Sequence, residues 1–304
     1  MIWSRPLAIA CLALVLSFSA GCDKSASIDA DGQGQFGTTN PSSGDPATPT
    51  EFTVATYNVN WGNRDAAAVA EIIREAGADL VCIQESRPEF EERLRHELRD
   101  NYPHVMFRGD NDRFPAERFG FLSKYAVRKE VFLPAQFGIF GTWIIEIQIA
   151  PESGAGKAAS VVQVANVHLE PIRPPEPGRL LTMHRVFAEM EKVHADEIAR
   201  IHQQLSPALP TIVAGDFNSL SSGAAPAFLG KQGFIDSFAI VTKAADTKAT
   251  WRWPTRWLDL AGRIDYIFHS PHLRTVSSHI VDRTTSDHSM VIATLEFKLT
   301  TPSQ

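Results

Sequence analysis

The sequence predicts an α/β protein in which two β-sheets pack face to face and helices cover the outside. Three observations lead to this prediction. About a dozen segments after residue 50 have strand character, and several alternate apolar and polar residues. Helical patterns separate these segments only at intervals, and no linker-like stretch follows Thr50. A region of about 250 residues with these features is the size of one layered domain, which we place at residues 51–300, followed by a tail at 301–304.

The first half of this region alternates strands and helices. The predicted elements are, in order, strand 52–59, helix 66–76, strand 79–84 and helix 89–100. Asp65 can cap the first helix, and Gly77 can end it. The run DLVCIQ at 79–84 is continuously apolar, which is typical of a strand buried on both faces.

Strand patterns dominate the second half, interrupted by one long helix. The predicted strands are 117–123, 126–133, 142–150, 160–169, 211–215, 263–269, 276–282 and 288–297, with the helix at about 182–205. One stripe of that helix is apolar, through Met183, Phe187, Met190, Ile198, Ile201 and Leu205.

The N-terminal segment has the features of an export signal. Arg5 precedes an apolar run that is too short to span a bilayer, and small residues lead to Cys22. Residues 1–21 therefore resemble a bacterial lipoprotein signal, which predicts a lipidated Cys22 and an extracytoplasmic, membrane-anchored protein. The alternative is an ordinary secretory signal with an incidental cysteine.

The next residues, 22–50, read as a disordered tether. They are rich in Ser, Thr, Gly, Asp and Pro and carry only two large apolar residues after the cysteine. In the remaining chain Cys82 is the single cysteine, so an internal disulfide is excluded and Cys82 is predicted to be an inert core residue. The net charge of −6 becomes −7 without Arg5 of the signal, which argues against non-specific binding of long duplexes.

Acidic, amide and histidine side chains recur where the predicted strands end or begin. They are Asn58, Asn60, Glu85, Glu117, His168, Asp216, Asn218, Asp265, Asp287 and His288. Each has a structural explanation of its own, as a turn cap, a solvated strand end or an ion-pair partner. Together they are what a metal-assisted phosphoester hydrolase needs, because a hard divalent cation takes oxygen ligands and a water nucleophile needs an orienting carboxylate or histidine.

The segment TIVAGDFNS at 211–219 carries two of these residues. On an extended segment Asp216 and Asn218 would share one face and Phe217 would point into the core. Gly215 would permit a close backbone approach. The alternative is an Asx-type turn that closes the strand.

The ordered set TYNVNWG, IQE, NVHLE, GDFNS, RIDYIF and SDHSMV resembles the endonuclease/exonuclease/phosphatase superfamily with the DNase I-like fold, over residues 52–297. The resemblance implies a four-layer sandwich of two mixed β-sheets flanked by helices, with the active site at one end. It also implies Mg²⁺ or Mn²⁺ as the cofactor. Asn60 departs from the aspartate of repair enzymes that act on abasic sites, which argues against that branch.

The resemblance also implies roles for individual residues. Glu85 is similar to the principal metal ligand, assisted by Asn58 and Asp287. Asp216 and Asn218 match the pair that orients water and holds the phosphate. His288 matches the catalytic histidine and Asp265 its carboxylate partner. His168 matches the general acid or phosphate donor of the DNase I and sphingomyelinase branches, and Glu117 the glutamate paired with it.

Two variable segments are candidates for the substrate rim. In WRWPTRW, aromatic faces and arginines can stack on bases and bind phosphate, and Trp251 and Arg252 are the leading contacts. The alternative is that these tryptophans only pack beneath the loop. Arg173 and Arg179 in the Pro-rich segment after His168 could also reach a phosphate.

Three functions stay open at this point. The first is a metal-dependent phosphodiesterase or phosphatase acting on nucleic acid or a phospholipid headgroup. The second is specifically a DNase I-like extracytoplasmic nuclease, which His168 and Glu117 favour and the acidic charge disfavours. The third is a membrane-tethered binding module without turnover, which would predict eroded motifs. A monomer is expected in each case.

Overall fold

The computed structural model describes residues 51–109, 114–149, 160–171, 183–253 and 260–298 of the chain. In this part, two six-stranded sheets lie face to face between two pairs of helices, so the predicted four-layer α/β sandwich is confirmed. The predicted signal peptide, Cys22, the tether and the tail lie outside the described residues.

Fourteen strands are seen among the described residues. In chain order they are β1 (Glu51–Asn58), β2 (Leu80–Gln84), β3 (His104–Arg108), β4 (Phe119–Ser123), β5 (Ala126–Leu133), β6 (Thr142–Ile149), β7 (Ser160–His168), β8 (Thr211–Asp216), β9 (Ile235–Asp236), β10 (Trp251–Trp253), β11 (Leu260–Gly262), β12 (Asp265–His269), β13 (Leu273–Ile280) and β14 (Val291–Phe297). The helices are α1 (Ala66–Ala76), α2 (Pro88–Leu98), α3 (Met183–Gln203) and α4 (Ala224–Lys231), with 3₁₀ turns at Pro115–Glu117 and Ala245–Thr247.

Both large sheets are mixed. The first has the order β13-β14-β1-β2-β4-β3 and the second β5-β6-β7-β8-β12-β9, and β10 and β11 form a separate hairpin. The pairs β1–β2 and β7–β8 are parallel and lie inside their sheets, and the remaining pairs are antiparallel. Since parallel strands end at the same edge, each sheet brings two carboxyl-terminal strand ends together.

The core consists of three apolar layers. The inner faces of the two sheets meet in the central layer, which contains Phe52 of β1, Trp143 of β6 and Ile212 of β8. Helices α1 and α2 cover the outer face of the first sheet, and α3 and α4 that of the second. From the predicted stripe of the long helix, Ile198 and Ile201 are buried in this last layer.

Local sequence signals for the first helix are confirmed. The Asp65 carboxylate accepts the backbone N–H of Ala68 at 3.0 Å, and Gly77 ends α1 with a left-handed φ of 64°. Cys82 is buried and free, and burial raises the pKa of its thiol. It is therefore the inert core residue that the sequence predicts.

Several elements were not predicted. The strands β3 and β9 and the helix α4 are short, and the segment at 250–262, interpreted as a loop, contains the hairpin β10–β11. Short elements carry too few residues for a periodic signal, and Pro226 inside α4 points to a loop. Within the described part of the chain, no helix combines the length and apolar character that crossing a bilayer requires.

Candidate active site

One end of the sandwich collects the polar strand ends of the first sheet. Asn58 is the last residue of β1, and Glu85 directly follows its parallel neighbour β2. His288 lies shortly before β14, which is antiparallel to β1, so it reaches the same end. The sheet topology therefore gathers residues that are far apart in the sequence.

The second sheet supplies three more side chains to this end. His168 ends β7 and pairs in parallel register with Asp216, which ends β8. Asp265 begins β12 and pairs in antiparallel register with the same Asp216. The side chains of all three residues are almost completely buried.

Glu85 is held in an unusual backbone conformation. Its φ is 60°, in the left-handed region that residues with a Cβ seldom adopt. Its Oε2 accepts the Trp61 N–H and its Oε1 the side-chain amide of Asn58, each at 3.0 Å. Burial raises the pKa of this carboxyl. Backbone strain of this kind is typical of functional positions, and here it aims a carboxylate at the second sheet.

Asn58 joins the two sheets through its amide. Its Nδ2 donates to Glu85 at 3.0 Å and to Asp216 at 2.9 Å, and its Oδ1 accepts the Asn60 N–H at 3.0 Å. These partners fix the orientation of the amide. A direct metal-ligand role would need the oxygen to face the carboxylates, whereas the structure turns the oxygen away. In this orientation Asn58 is a donor that braces two carboxylates, and its role as a metal ligand stays a prediction.

The segment after β8 is a turn rather than an extended face. Asn218 has a φ of 46°, its N–H donates to Asp216 Oδ1 at 2.8 Å, and its Nδ2 donates to the Leu169 carbonyl at 2.9 Å. The expectation that Asp216 and Asn218 share an extended face is wrong, because the Asx turn closes first. Phe217 is buried as predicted, and a Cβ on Gly215 would collide with the Val167 carbonyl.

Asp265 and His288 form a buried ion pair. Nδ1 of His288 lies 3.0 Å from Asp265 Oδ2, and its Nε2 faces Asp216 Oδ2 at 3.7 Å. Burial lowers the pKa of His288, but the carboxylates of Asp265 and Asp216 more than offset it, and the pKa rises to about 10. The imidazole is therefore protonated at neutral pH and presents an Nε2–H donor to the site.

His168 is the second histidine of the site, and its protonation state differs from that of His288. Its Nε2 lies 3.6 Å from Glu85 Oε1 and 3.7 Å from Asp216 Oδ2. Burial, with the nearby charge of His288, lowers its pKa to about 3. His168 is therefore neutral.

The predicted pairing of Glu117 with His168 is not seen. The buried Nδ1 of His168 has no partner with hydrogen-bond geometry within the described residues. Glu117 is itself buried and accepts the Phe114 N–H at 3.4 Å. The Glu117 carboxylate therefore contributes to closing the 3₁₀ turn at Pro115–Glu117.

Asp287 lies at the partly exposed side of the site. Its Oδ1 accepts the Asn60 amide at 2.7 Å, and Asn60, with a φ of 60°, also binds the Gly62 N–H. Asn60 is uncharged, and its amide holds the neighbouring Asp287 carboxylate in place. Asp287 faces the site but belongs to neither of the two tightest groups of possible metal ligands among the described residues.

The predicted substrate contacts divide into two groups. The backbone of Trp251 forms an isolated antiparallel β-bridge with His288, and the backbone N–H of Arg252 donates to the Asp287 carbonyl at 2.9 Å. Strand β10 therefore borders the site. The Arg252 side chain is exposed. Arg173 and Arg179 lie outside the described residues.

Three supporting residues escaped sequence reasoning. Thr250 Oγ1 accepts the Asp265 N–H at 3.1 Å, and Ser286 Oγ binds the Asn58 carbonyl and the His288 N–H. The ring of Phe140 stacks on His168. Ser286 stands directly before Asp287–His288 and could have been found there, but Thr250 and Phe140 carry no local signal.

The residues present fit a divalent cation. Glu85, His168 and Asp216 bring one ligand atom each within 4.8 Å of one another, and Asp216, Asp265 and His288 do the same. Four carboxylates, those of Glu85, Asp216, Asp265 and Asp287, surround one imidazolium. Oxygen-rich, negatively charged sites suit hard divalent ions, and Glu85 and Asp216 lie together in one of these groups.

This fold and this site define a family. The family model described as Endonuclease/Exonuclease/phosphatase matches residues 55–288, and the chain belongs to that family. Its members are generally metal-dependent phosphoester hydrolases. A comparison with curated proteins gives no match.

Solved structures with the same fold are distant in sequence. An endonuclease/exonuclease/phosphatase from Beutenbergia cavernae is 19% identical with a TM-score of 0.56, covering 81% of this chain and 72% of its own. One from Bacteroides vulgatus is 16% identical with a TM-score of 0.59, covering 82% of this chain and 100% of its own. D. rerio TDP2, crystallised with a single-strand DNA product, is 16% identical with a TM-score of 0.60, covering 81% and 99%. At these identities the likeness shows the fold alone.

Proposed function

We propose that this protein hydrolyses a phosphoester bond by metal-assisted attack of water on phosphorus. The observation that supports this best is the convergence of Glu85, Asp216, Asp265 and His288 at one end of the sandwich, with polar atoms that face one another across short unbonded gaps. Membership of the family supports phosphoester hydrolysis as the reaction class, and the geometry of the site supports the roles proposed for individual residues.

Asp216 is the candidate base. Burial raises its pKa to about 7, and the charge of His288 counteracts this only in part. A base works best when its pKa is near the working pH, so a water held at Asp216 can lose its proton to Oδ2. The turn N–H of Asn218 and the amide of Asn58 keep the carboxylate in place.

His288 is the candidate electrostatic partner of the phosphate. Asp265 holds it protonated with Nε2 pointing into the site, where it can donate to a phosphate oxygen as negative charge develops. Neutral His168 offers a second hydrogen-bonding nitrogen on the other side of Asp216. Asn218, which forms a turn with Asp216, is expected to help hold the phosphate.

Glu85, with Asp287 on its open side, would hold the divalent cation. Bound there, Mg²⁺ or Mn²⁺ would supply Lewis-acid polarisation of a phosphoryl oxygen. Glu85 is suited to such an ion because it is buried and its hydrogen-bond donors, the Asn58 amide and the Trp61 N–H, are neutral.

The expected substrates are phosphodiesters or phosphomonoesters of nucleic acid or of a phospholipid headgroup. Arg252 and Trp251 border the site and could contact the substrate. A DNase I-like nuclease is the second candidate, favoured by His168 in the site and disfavoured by the acidic charge. The single-strand DNA product of the TDP2 structure supports testing single strands as well.

Purified protein tests the proposal. It should hydrolyse bis-p-nitrophenyl phosphate with Mg²⁺ or Mn²⁺ and stop when EDTA is added. A panel of plasmid DNA, single-stranded DNA, RNA, sphingomyelin and inositol phosphates then identifies the substrate class. Hydrolysis that persists after exhaustive chelation would contradict the metal role.

We further propose a monomer that Cys22 anchors to a membrane, facing the extracytoplasmic side. The signal-like residues 1–21 and the polar tether at 22–50 support this. Cys22→Ala should release the protein from the membrane fraction. Continued membrane association of that variant would contradict the lipid anchor.

A further inference from the structure

An aromatic ring from the second sheet's outer hairpin covers His168. Phe140, in the connection between β5 and β6, stacks on the imidazole with the ring centroids 4.0 Å apart and the planes 17° from parallel. Phe140 is 6% exposed and His168 is 2% exposed, so the stack is shielded from water. Contact of this kind fixes the plane of a ring.

The stack matters because hydrogen bonding leaves His168 under-restrained. A histidine in a catalytic site is usually oriented through the nitrogen that faces away from the chemistry. In His168 that atom is Nδ1, which is buried near the Ala116 backbone but has no partner in good hydrogen-bond geometry within the described residues. The Phe140 stack therefore adds a restraint on the ring, whose Nε2 points toward Glu85 and Asp216.

The loop that carries Phe140 is itself fastened tightly. The Ile139 N–H donates to Glu170 Oε2 at 2.6 Å. A Cβ on Gly138 would collide with the Glu197 carboxylate, and one on Gly141 would meet the Leu133 carbonyl at 2.7 Å. A Cβ at position 141 would clash with backbone, which favours glycine there, and one at position 138 would displace the Glu197 carboxylate.

The fastening continues to helix α3. The Glu170 N–H donates to Glu197 Oε2 at 3.0 Å, and His194 Nε2 donates to the Glu170 carbonyl at 2.7 Å. Glu170 stands only two residues after His168 in the chain. The same short segment therefore carries the histidine and the carboxylate that holds the ring above it.

We propose that Phe140 is a positioning residue for His168, and that Glu170, braced by Glu197, holds Phe140 in place through the Ile139 N–H. The role of His168 in hydrolysis rests on the proposed function, whereas the ring geometry does not. Phe140 acts through His168 and does not touch the reacting atoms.

A double-mutant cycle tests this with activity. Phe140→Leu should lower kcat about tenfold with little change in KM, because His168 loses its orientation. In the His168→Ala background the same substitution should have no further effect. An equal loss in both backgrounds, or no loss in wild type, would overturn the proposal.

The tether is tested in the same way. Glu170→Ala should lower kcat to a similar extent and should not add to Phe140→Leu. Glu170→Gln keeps an oxygen that can accept the Ile139 N–H and should recover most of the activity. Additive losses, or a Gln variant as impaired as the Ala variant, would contradict the tether.

Nuclear magnetic resonance of the histidine rings gives a readout without turnover. The C–H signals of His168 should be shifted upfield by the Phe140 ring and lose that shift in Phe140→Leu and Glu170→Ala. Phe228→Leu is the matched control, because Phe228 contacts His202 edge-on at 5.7 Å elsewhere in the protein. His168 signals that do not respond to Phe140→Leu would overturn the proposal even if hydrolysis is found. A protein that shows the shifts but hydrolyses nothing would contradict only the proposed function.

Discussion

Two clusters of carboxylates and histidines lie beside the end of β7, and they differ in how their histidines face their carboxylates. The active-site cluster consists of Glu85, His168, Asp216, Asp265 and His288, and the α3 cluster of Glu170, Glu191, His194 and Glu197. In the α3 cluster each carboxylate accepts a backbone N–H, from Ile139, Ala224 or Glu170. In the active-site cluster Glu85 and Asp216 also accept backbone N–H groups, from Trp61 and Asn218. Both histidine Nε2 atoms there additionally face Asp216 Oδ2 at 3.7 Å, too far for a hydrogen bond.

The difference separates a structural cluster from a chemical one. Carboxylates that are bound to backbone N–H groups at 2.6–3.0 Å fasten loops and helix ends. A donor and an acceptor that face each other at 3.7 Å are too far apart to bond directly, and a water, an ion or a phosphate oxygen can bind between them. Residue types are alike in the two clusters. The α3 cluster has one such gap, 4.0 Å between His194 Nδ1 and Glu191 Oε1, at a carboxylate whose side chain is 37% exposed. In the active site two histidines face the same buried carboxylate of Asp216, and this convergence carries the functional distinction.

The largest expected effect is on turnover. Asp216→Asn keeps the size of the side chain and removes the base, so kcat on bis-p-nitrophenyl phosphate should fall about 10²–10⁴-fold. The melting temperature should stay equal or rise, because a buried carboxylate with a raised pKa becomes neutral. Glu191→Gln in the α3 cluster is the matched control and should retain activity. Comparable losses at the two positions would erase the distinction between the clusters.

Metal binding should also separate the clusters. An ion that binds only the folded state stabilises it by about 2.7 kcal/mol at a hundredfold excess over Kd, so Mn²⁺ should raise the melting temperature of wild type. Glu85→Gln should lose that rise, and Glu191→Gln should keep it. An unchanged wild-type melting temperature, or an equal rise in Glu85→Gln, would count against an ion at Glu85.

The α3 cluster should make the free energy of unfolding depend on pH. Burial, together with the charge of Glu170, raises the pKa of Glu197 to about 8, whereas burial lowers the pKa of His194. The unfolded state therefore loses the Glu197 proton first, and the free energy of unfolding should fall as pH rises from about 4.5 to 8.

Glu197→Gln cannot release a proton and should remove this part of the slope. Each pKa unit corresponds to about 1.4 kcal/mol, so the difference between wild type and variant should grow by a few kcal/mol over that range. Urea unfolding at several pH values measures it. Parallel curves for the two proteins would show that Glu197 is ionised in the fold. Taking the difference cancels the contributions of Asp216 and His288, which titrate in both proteins.

The smallest expected effect is at the exposed rim of the active site. Arg252→Ala should raise KM no more than about fivefold with kcat unchanged, because an exposed charge contributes about 0.2–1 kcal/mol. Arg128→Ala, at an exposed position on β5, is the control. Equal KM values for Arg252→Ala and wild type would remove Arg252 from the substrate contacts.

The sequence by itself determined the layered α/β fold, most strand and helix positions, and the residues that collect at one end. Alternation and capping depend on neighbours within a few positions in the chain. The helix cap at Asp65, the helix end at Gly77 and the buried strand at 80–84 could therefore be predicted from the local sequence. The order of motifs was enough to indicate Glu85, Asp216, Asp265 and His288 as partners, although they are far apart in the chain.

Only the tertiary structure decided which atoms of those residues face one another. The amide of Asn58 turns its donor to the carboxylates because Asn60 occupies its oxygen, and Glu117 closes its own turn instead of binding His168. Phe140 reaches His168 through a loop fastened to another element. Such choices depend on contacts between distant segments, and a hydrogen bond or a ring stack requires positions within fractions of an ångström, which no local pattern specifies.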